Sequence, residues 1–203
     1  MFNSHRILCA GLLALAAGGV AAQDVSPGYV GVAYAVGSNY SIDCYSGDSC
    51  RTHTSDGGKL YAGYTLESTT FFGMDSSHAI ELGLFSLGHY REVTNYGYID
   101  TNVKGITLTH ASSLKLNDAW SFNTRLGGSY TSTKQNVNDI ADGTRYGYKA
   151  YDYFGLTGGV GMAYAIDKHW SVTADVDYLP FRLGSGGSVN HVKTMTVGVA
   201  YHF

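Results

Sequence analysis

TMTVGVAYHF, residues Thr194 to Phe203, closes the chain and alternates at every step. Met195, Val197, Val199, Tyr201 and Phe203 fall on one face, and Thr194, Thr196, Gly198, Ala200 and His202 on the other. That period of two marks a β-strand. Chain ends usually fray into water, so a last strand that stops on an aromatic suggests a strand needed as someone's partner. The natural partner is the first strand, in a sheet closed on itself.

The same split recurs upstream. In WSVTADVDY, Trp170, Val172, Ala174, Val176 and Tyr178 oppose Ser171, Thr173, Asp175 and Asp177. FGLTGGVGMAYAI sets Phe154, Leu156, Val160, Met162, Tyr164 and Ile166 against glycine, alanine and Thr157. WSFNTRLGGSY sets Trp120, Phe122, Leu126 and Tyr130 against Ser121, Asn123, Arg125, Gly127 and Ser129. Four further segments, Gly28–Val36, Lys59–Leu66, His78–Gly88 and Val103–Leu114, complete an even set of eight strands. Long polar connections (Gly37–Gly58, His89–Asn102, Ser132–Lys149, Arg182–Asn190) alternate with short ones (Lys115–Ala119, Asp167–His169). The Glu67–Ser77 connection, which contains TTFFGM, reads either as a loop or as an extension of the third strand. No linker, charge block or low-complexity segment divides the chain.

Composition says what wets the sheet. Charged residues make up 14% of the chain, against 27 glycines and 17 tyrosines, whereas a soluble domain carries about 25% charge. The polar faces of these strands hold Gly, Ala, Ser and Thr, side chains small enough for the inside of a narrow barrel. A lipocalin-like soluble barrel would need a greasy interior and a solvated exterior. Here the bulky apolar face opposes a crowded, glycine-rich one, which leaves lipid as its partner. Trp120, Trp170, Tyr130, Tyr164, Tyr178 and Tyr201 stand near strand ends, where rings sit at both edges of a hydrocarbon slab. The expected fold is an all-β, eight-stranded antiparallel up-and-down transmembrane β-barrel.

Residues 1–22 carry Arg6, an apolar run from Ile7 to about Ala17 and the small-residue pattern Val20-Ala21-Ala22. This is the plan of a signal peptide cleaved before Gln23, leaving the barrel as residues 23–203. Cys44 and Cys50 fall in a Ser/Asp/Gly-rich stretch and, after export, are expected to form a local disulfide. A metal reading that recruits Asp48 and His53 has no standard spacing. No basic stripe invites nucleic acid, and no cofactor is expected.

The pieces YVGVAYAVG, KLYAGYTL, AIELGLFSLG, GVGMAYAI and the closing VGVAYHF together resemble the eight-stranded outer-membrane barrels typified by the OmpA transmembrane domain and the OmpX, Opa and NspA proteins. The resemblance spans the chain from residue 23 onward. It implies the outer membrane of a Gram-negative bacterium, both termini toward the periplasm and four loops outside. It implies contact with outer-membrane lipid and lipopolysaccharide, and a porin-like but narrow lumen. Tyr201 and Phe203 fit the terminal-strand signal that the outer-membrane assembly machinery reads in this family. Unlike the OmpA type, the chain is expected to carry no separate peptidoglycan-binding domain.

On the small-residue face, Glu81, Arg125, Asp175 and Asp177 form an expected lumen charge cluster, with Arg125 forking toward Glu81 and Asp175. We read it as a structural plug, a narrow low-conductance pore being the alternative. His110 and Ser112, two apart on one strand, raise a second alternative, a base and a nucleophile similar to the His-x-Ser pair of the PagL-type lipid A deacylases. The strand direction places that pair near the periplasmic end, away from lipid A, and Ser113 stands where that family has Asn. The leading expectation is therefore non-catalytic. It is a monomeric stave whose loops, the third rich in Tyr, Lys and Arg, contact a host or matrix ligand.

Overall fold

The computed structural model describes residues 27–41, 49–51, 53–54, 56–93, 97–139, 145–183 and 189–203. Eight long strands form one antiparallel ring: β1 (Gly28–Ser41), β2 (Gly57–Phe71), β3 (Met74–Val93), β4 (Gly97–Lys115), β5 (Trp120–Asp139), β6 (Arg145–Ala165), β7 (Trp170–Arg182) and β8 (Val189–His202). Each pairs with its sequence neighbours, and β8 closes on β1 in a ladder from Tyr29↔His202 to Ser41↔His191. Phe203 continues it, donating its backbone N–H to the Gly28 carbonyl at 3.1 Å. The terminal strand is thus the partner of the first, and closure leaves no free edge between them.

The wall outside the ring is apolar. Val32, Leu60, Ile80, Leu108, Leu126, Leu156, Val160 and Val199 all point outward and exposed. Tyr64, Trp120, Tyr164, Trp170 and Phe203 border this band at the end that carries the termini, and Tyr130 and Tyr178 border it at the other. The rings of Trp120 and Tyr164 pack 5.0 Å apart, and Trp170 meets Tyr201 edge-on at 5.0 Å.

Three of the expected long connections, His89–Asn102, Ser132–Lys149 and Gly37–Gly58, are corrected, and the open reading of Glu67–Ser77 is resolved. Much of His89–Asn102 and Ser132–Lys149 is strand, not loop: β3 and β4 reach Val93 and Gly97, and β5 and β6 reach Asp139 and Arg145. Thr131, Thr133, Thr101 and Val103 continue the inward alternation there, all buried. The Gly37–Gly58 connection also contributes strand, because Ser49–Arg51 pairs with β3 and His53–Thr54 with β1, filling the column above β2. The Glu67–Ser77 segment is strand extension, a hairpin of β2 and β3 turned by Phe72 and Gly73 at φ 50 and 78. Two positive φ values make the tight turn that fits twisted hairpins. Because β1 begins opposite Tyr64, this ribbon projects beyond the ring at the terminal end.

Candidate functional site

The lumen is built in layers. At the terminal end it opens as a vestibule of about 1230 Å³, walled by short polar side chains such as Ser68, Thr70, Ser77, Ser113 and Asn123 and floored by Tyr29, Tyr61 and Arg125. Mid-barrel, charged side chains from four strands come together. Arg125 Nε lies 2.9 Å from Glu81 Oε1, and its Nη1 donates to Asp175 Oδ1 at 2.7 Å. Arg125 reaches both because β5 places it between carboxylates arriving from β3 and β7. Asp177 does not join that fork. It accepts from Lys59 Nζ at 3.1 Å, and the same ammonium stands 3.8 Å from Glu81. Tyr29 donates to Glu81 Oε2 at 2.9 Å, and the Tyr61 ring sits under both cations, 5.3 Å from Lys59 and 5.7 Å from Arg125. The two aspartates fit because β6 presents glycine opposite them. A Cβ at Gly159 or Gly161 would collide with the Asp177 or Asp175 carboxylate.

Lys59, Tyr29 and Tyr61 were missing from the expected cluster, although the signal was present. Lys59 and Tyr61 share the parity of Gly63 in KLYAGYTL, opposite Leu60 and Tyr64. On the far side of this girdle is a chamber of about 20 Å³, lined by Lys59, Glu81, Thr109, Asp177 and Thr196. The Thr109 and Thr196 hydroxyls have no protein partner, and the space is just large enough for one water.

Beyond the chamber the small-residue interior gives way to bulk, a further correction. Tyr40, Phe85, Leu87, Tyr90, Val103, Leu179, Phe181 and Val192 pack into one buried cluster inside the ring. Tyr40 meets Tyr90 and Phe181 at centroid distances of 5.7 Å and donates its hydroxyl to the Leu87 carbonyl at 2.9 Å. Girdle and plug together interrupt the lumen between the vestibule and the loop end.

Outside the barrel, His110 and Ser112 share the outer face of β4, but the structure does not join them. Ser112 Oγ lies 3.2 Å from Nδ1 of His78 on β3, and His78 Nε2 lies 3.2 Å from Thr69 Oγ1 on β2. His110 instead stacks on His78, rings 5.4 Å apart. The cluster lies on the terminal half of the wall. Cys44 and Asp48 lie outside the described residues, and so does the Cys44–Cys50 pairing. Among the described residues no group of three or more His, Cys, Asp or Glu could hold a metal ion.

Residues 7–203 match the outer membrane protein beta-barrel domain family. The chain belongs to that family. Its place is the bacterial outer membrane, and the apolar wall is the lipid-facing surface of a transmembrane barrel. The fold is similar to that of Ail, the attachment invasion locus protein of Yersinia pestis (16% identity, TM-score 0.53, 87% of this chain and 97% of that one). It is likewise similar to Neisserial surface protein A (15%, TM-score 0.54, 88% and 98%) and to OprG from Pseudomonas aeruginosa (15%, TM-score 0.53, 88% and 97%). No curated protein matches the sequence.

Proposed function

We propose that this barrel is a rigid, non-conducting stave that displays its loop end to a host or matrix ligand, with the termini in the periplasm. The observation that carries the reading is the overshoot of β3 to β6. They run 20, 19, 20 and 21 residues, where a tilted strand needs only about 9–11 to cross a bilayer. The excess of β4, β5 and β6, and the last residues of β3, lie at the loop end, stiffened by the Ser49–Arg51 and His53–Thr54 additions and by the Arg91–Asp100 ion pair at 2.7 Å. Loops on such a rigid platform are where recognition is usually placed. The blocked lumen favours display over passage.

In the same reading, residues 1–22 are removed on export, Cys44 and Cys50 cross-link the first loop, and Tyr201 with Phe203 recruits the assembly machinery to a monomer. Ail has been solved in complex with the heparin analogue sucrose octasulfate, which makes immobilised heparin a sensible first probe here, beside matrix proteins. Cells displaying the protein should adhere to at least one such surface. Replacing residues 42–56 and 140–144 with short Gly-Ser turns should abolish adhesion while the barrel still folds. Adhesion that survives both replacements overturns the reading.

A further inference from the structure

The cluster on the outer wall is not used by the display role. Ser112, His78 and Thr69 form a hydrogen-bonded chain across β4, β3 and β2. With the proton on Nε2, His78 donates to Thr69 Oγ1 and leaves Nδ1 to accept from the Ser112 hydroxyl. That tautomer is the one a base needs in order to activate a serine. Glu67 stands directly opposite His78 in the β2–β3 ladder, on the same face. His110, stacked on His78, adds an N–H beside the pair.

Depth gives the arrangement a substrate. One row of paired residues climbs the wall from Tyr64 through Ile80, His110, Leu126 and Gly158 to Tyr178, from the terminal-end belt to the loop-end belt. Neighbouring strands lie about 4.8 Å apart and tilt by about 35–45°, so the row rises about 3 Å with each strand. Ser112 and His78 lie two residues toward the terminal end from His110 and Ile80, lower by about 5 Å on a tilted strand. The pair therefore sits within about 5 Å of the terminal-end belt, at the boundary between headgroups and hydrocarbon where the acyl esters of a glycerophospholipid lie.

We propose that Ser112, with His78 as its base, hydrolyses acyl esters of glycerophospholipid in the leaflet at the terminal end. Ser112 Oγ attacks the ester carbonyl carbon as His78 Nδ1 takes the hydroxyl proton, and the His110 N–H faces the developing oxyanion. The ester C–O bond breaks, and the proton passes from His78 to the leaving glycerol oxygen, giving a lysophospholipid and acyl-Ser112. Water, deprotonated by His78, then releases the fatty acid and restores the serine.

The test uses the refolded full-length barrel in phosphatidylethanolamine vesicles with labelled acyl chains, with purified lipid A in mixed micelles as a second arm. Vesicles with wild-type protein should release fatty acid and lysophospholipid in equal amounts. Ser112→Ala and His78→Gln should each lower the rate by about 100-fold or more. A fluorophosphonate should label Ser112 in the wild type and not in His78→Gln, with heat-modifiable gel migration reporting that each variant folds. Release no greater than from protein-free vesicles, release unchanged in Ser112→Ala, or hydrolysis confined to lipid A would overturn the proposal. None of these outcomes bears on adhesion through the loops, and loss of adhesion leaves this activity unaffected.

Discussion

The girdle closes the lumen with ion pairs of 2.7 to 3.8 Å among Lys59, Glu81, Arg125, Asp175 and Asp177. The plug closes it with apolar bulk, its rings packed at 5.7 Å around Tyr40, one tilted and one edge-on. Both barriers lie inside the same ring, yet they fail differently. An ion-pair network depends on each member having its partner, because a stranded buried charge costs more than the pair contributes. An apolar cluster depends on filled volume, and its losses scale with the cavity left behind.

Arg125→Leu is the strongest way to break the comparison. It leaves Glu81 and Asp175 without their guanidinium, and breaking one buried pair costs roughly 3–5 kcal/mol, so losing two contacts should place the change at the upper end. Urea unfolding in detergent or bilayer should show that loss of stability. An unchanged midpoint would mean that the carboxylates find water or a proton instead, and that the girdle is not a structural plug.

How much of each barrier was legible follows from backbone parity. Glu81, Arg125, Asp175 and Asp177 fall on strands whose period of two runs unbroken through the girdle, so alternation alone brings them to one surface. The plug lies where parity slips. In β1 the register shifts between Ala35 and Gly37, so the inward set passes from Ala33 and Ala35 to Ser38 and Tyr40. In β3 it shifts between Ser86 and His89, with Gly88 at φ 76, and the inward set passes from Phe85 and Leu87 to Tyr90. A bulge adds one residue to one strand and turns the following side chains to the other face, which no fixed period anticipates. Leu179 and Phe181 keep the parity of Asp177 and were readable in principle, but they lie just beyond the WSVTADVDY segment, on either side of Pro180. The Glu67–Ser77 ribbon was hidden the same way, by the shift between Thr65 and Glu67. The Ser112–His78 contact joins different strands and could be seen only once their register was known.

Phe181→Ala probes the other barrier. The ring is fully buried at the edge of Tyr40, and its removal should cost about 3 kcal/mol through lost packing and a residual cavity. Because the girdle remains, planar-bilayer recordings should show no new ion conductance. Conductance appearing in this variant alone would show that the ion pairs do not seal the lumen, and would move the weight of closure to the plug.

The smallest effect is expected at the terminal-end turns, where the chain supplies its own control. Asn117 Oδ1 accepts from the N–H groups of Ala119 and Trp120, both at 2.9 Å, and Asp167 Oδ1 accepts from those of His169 and Trp170 at 2.7 and 2.8 Å. The geometry is shared, but only one cap can titrate. The hydrogen bonds from His169 and Trp170 hold the Asp167 carboxyl below its ordinary range, since they favour the charged form. Its contribution is therefore fully present above the unfolded value of about 4 and is lost as pH falls through the lowered folded value. In NMR spectra of the folded barrel, the Trp170 amide should shift with acid below about pH 4 while the Trp120 amide stays in place. Asp167→Asn should remove that shift and keep the turn, because an amide oxygen accepts the same two bonds without carrying a proton to lose. A Trp120 amide that moved in parallel would show that the change reports the whole barrel rather than one carboxylate.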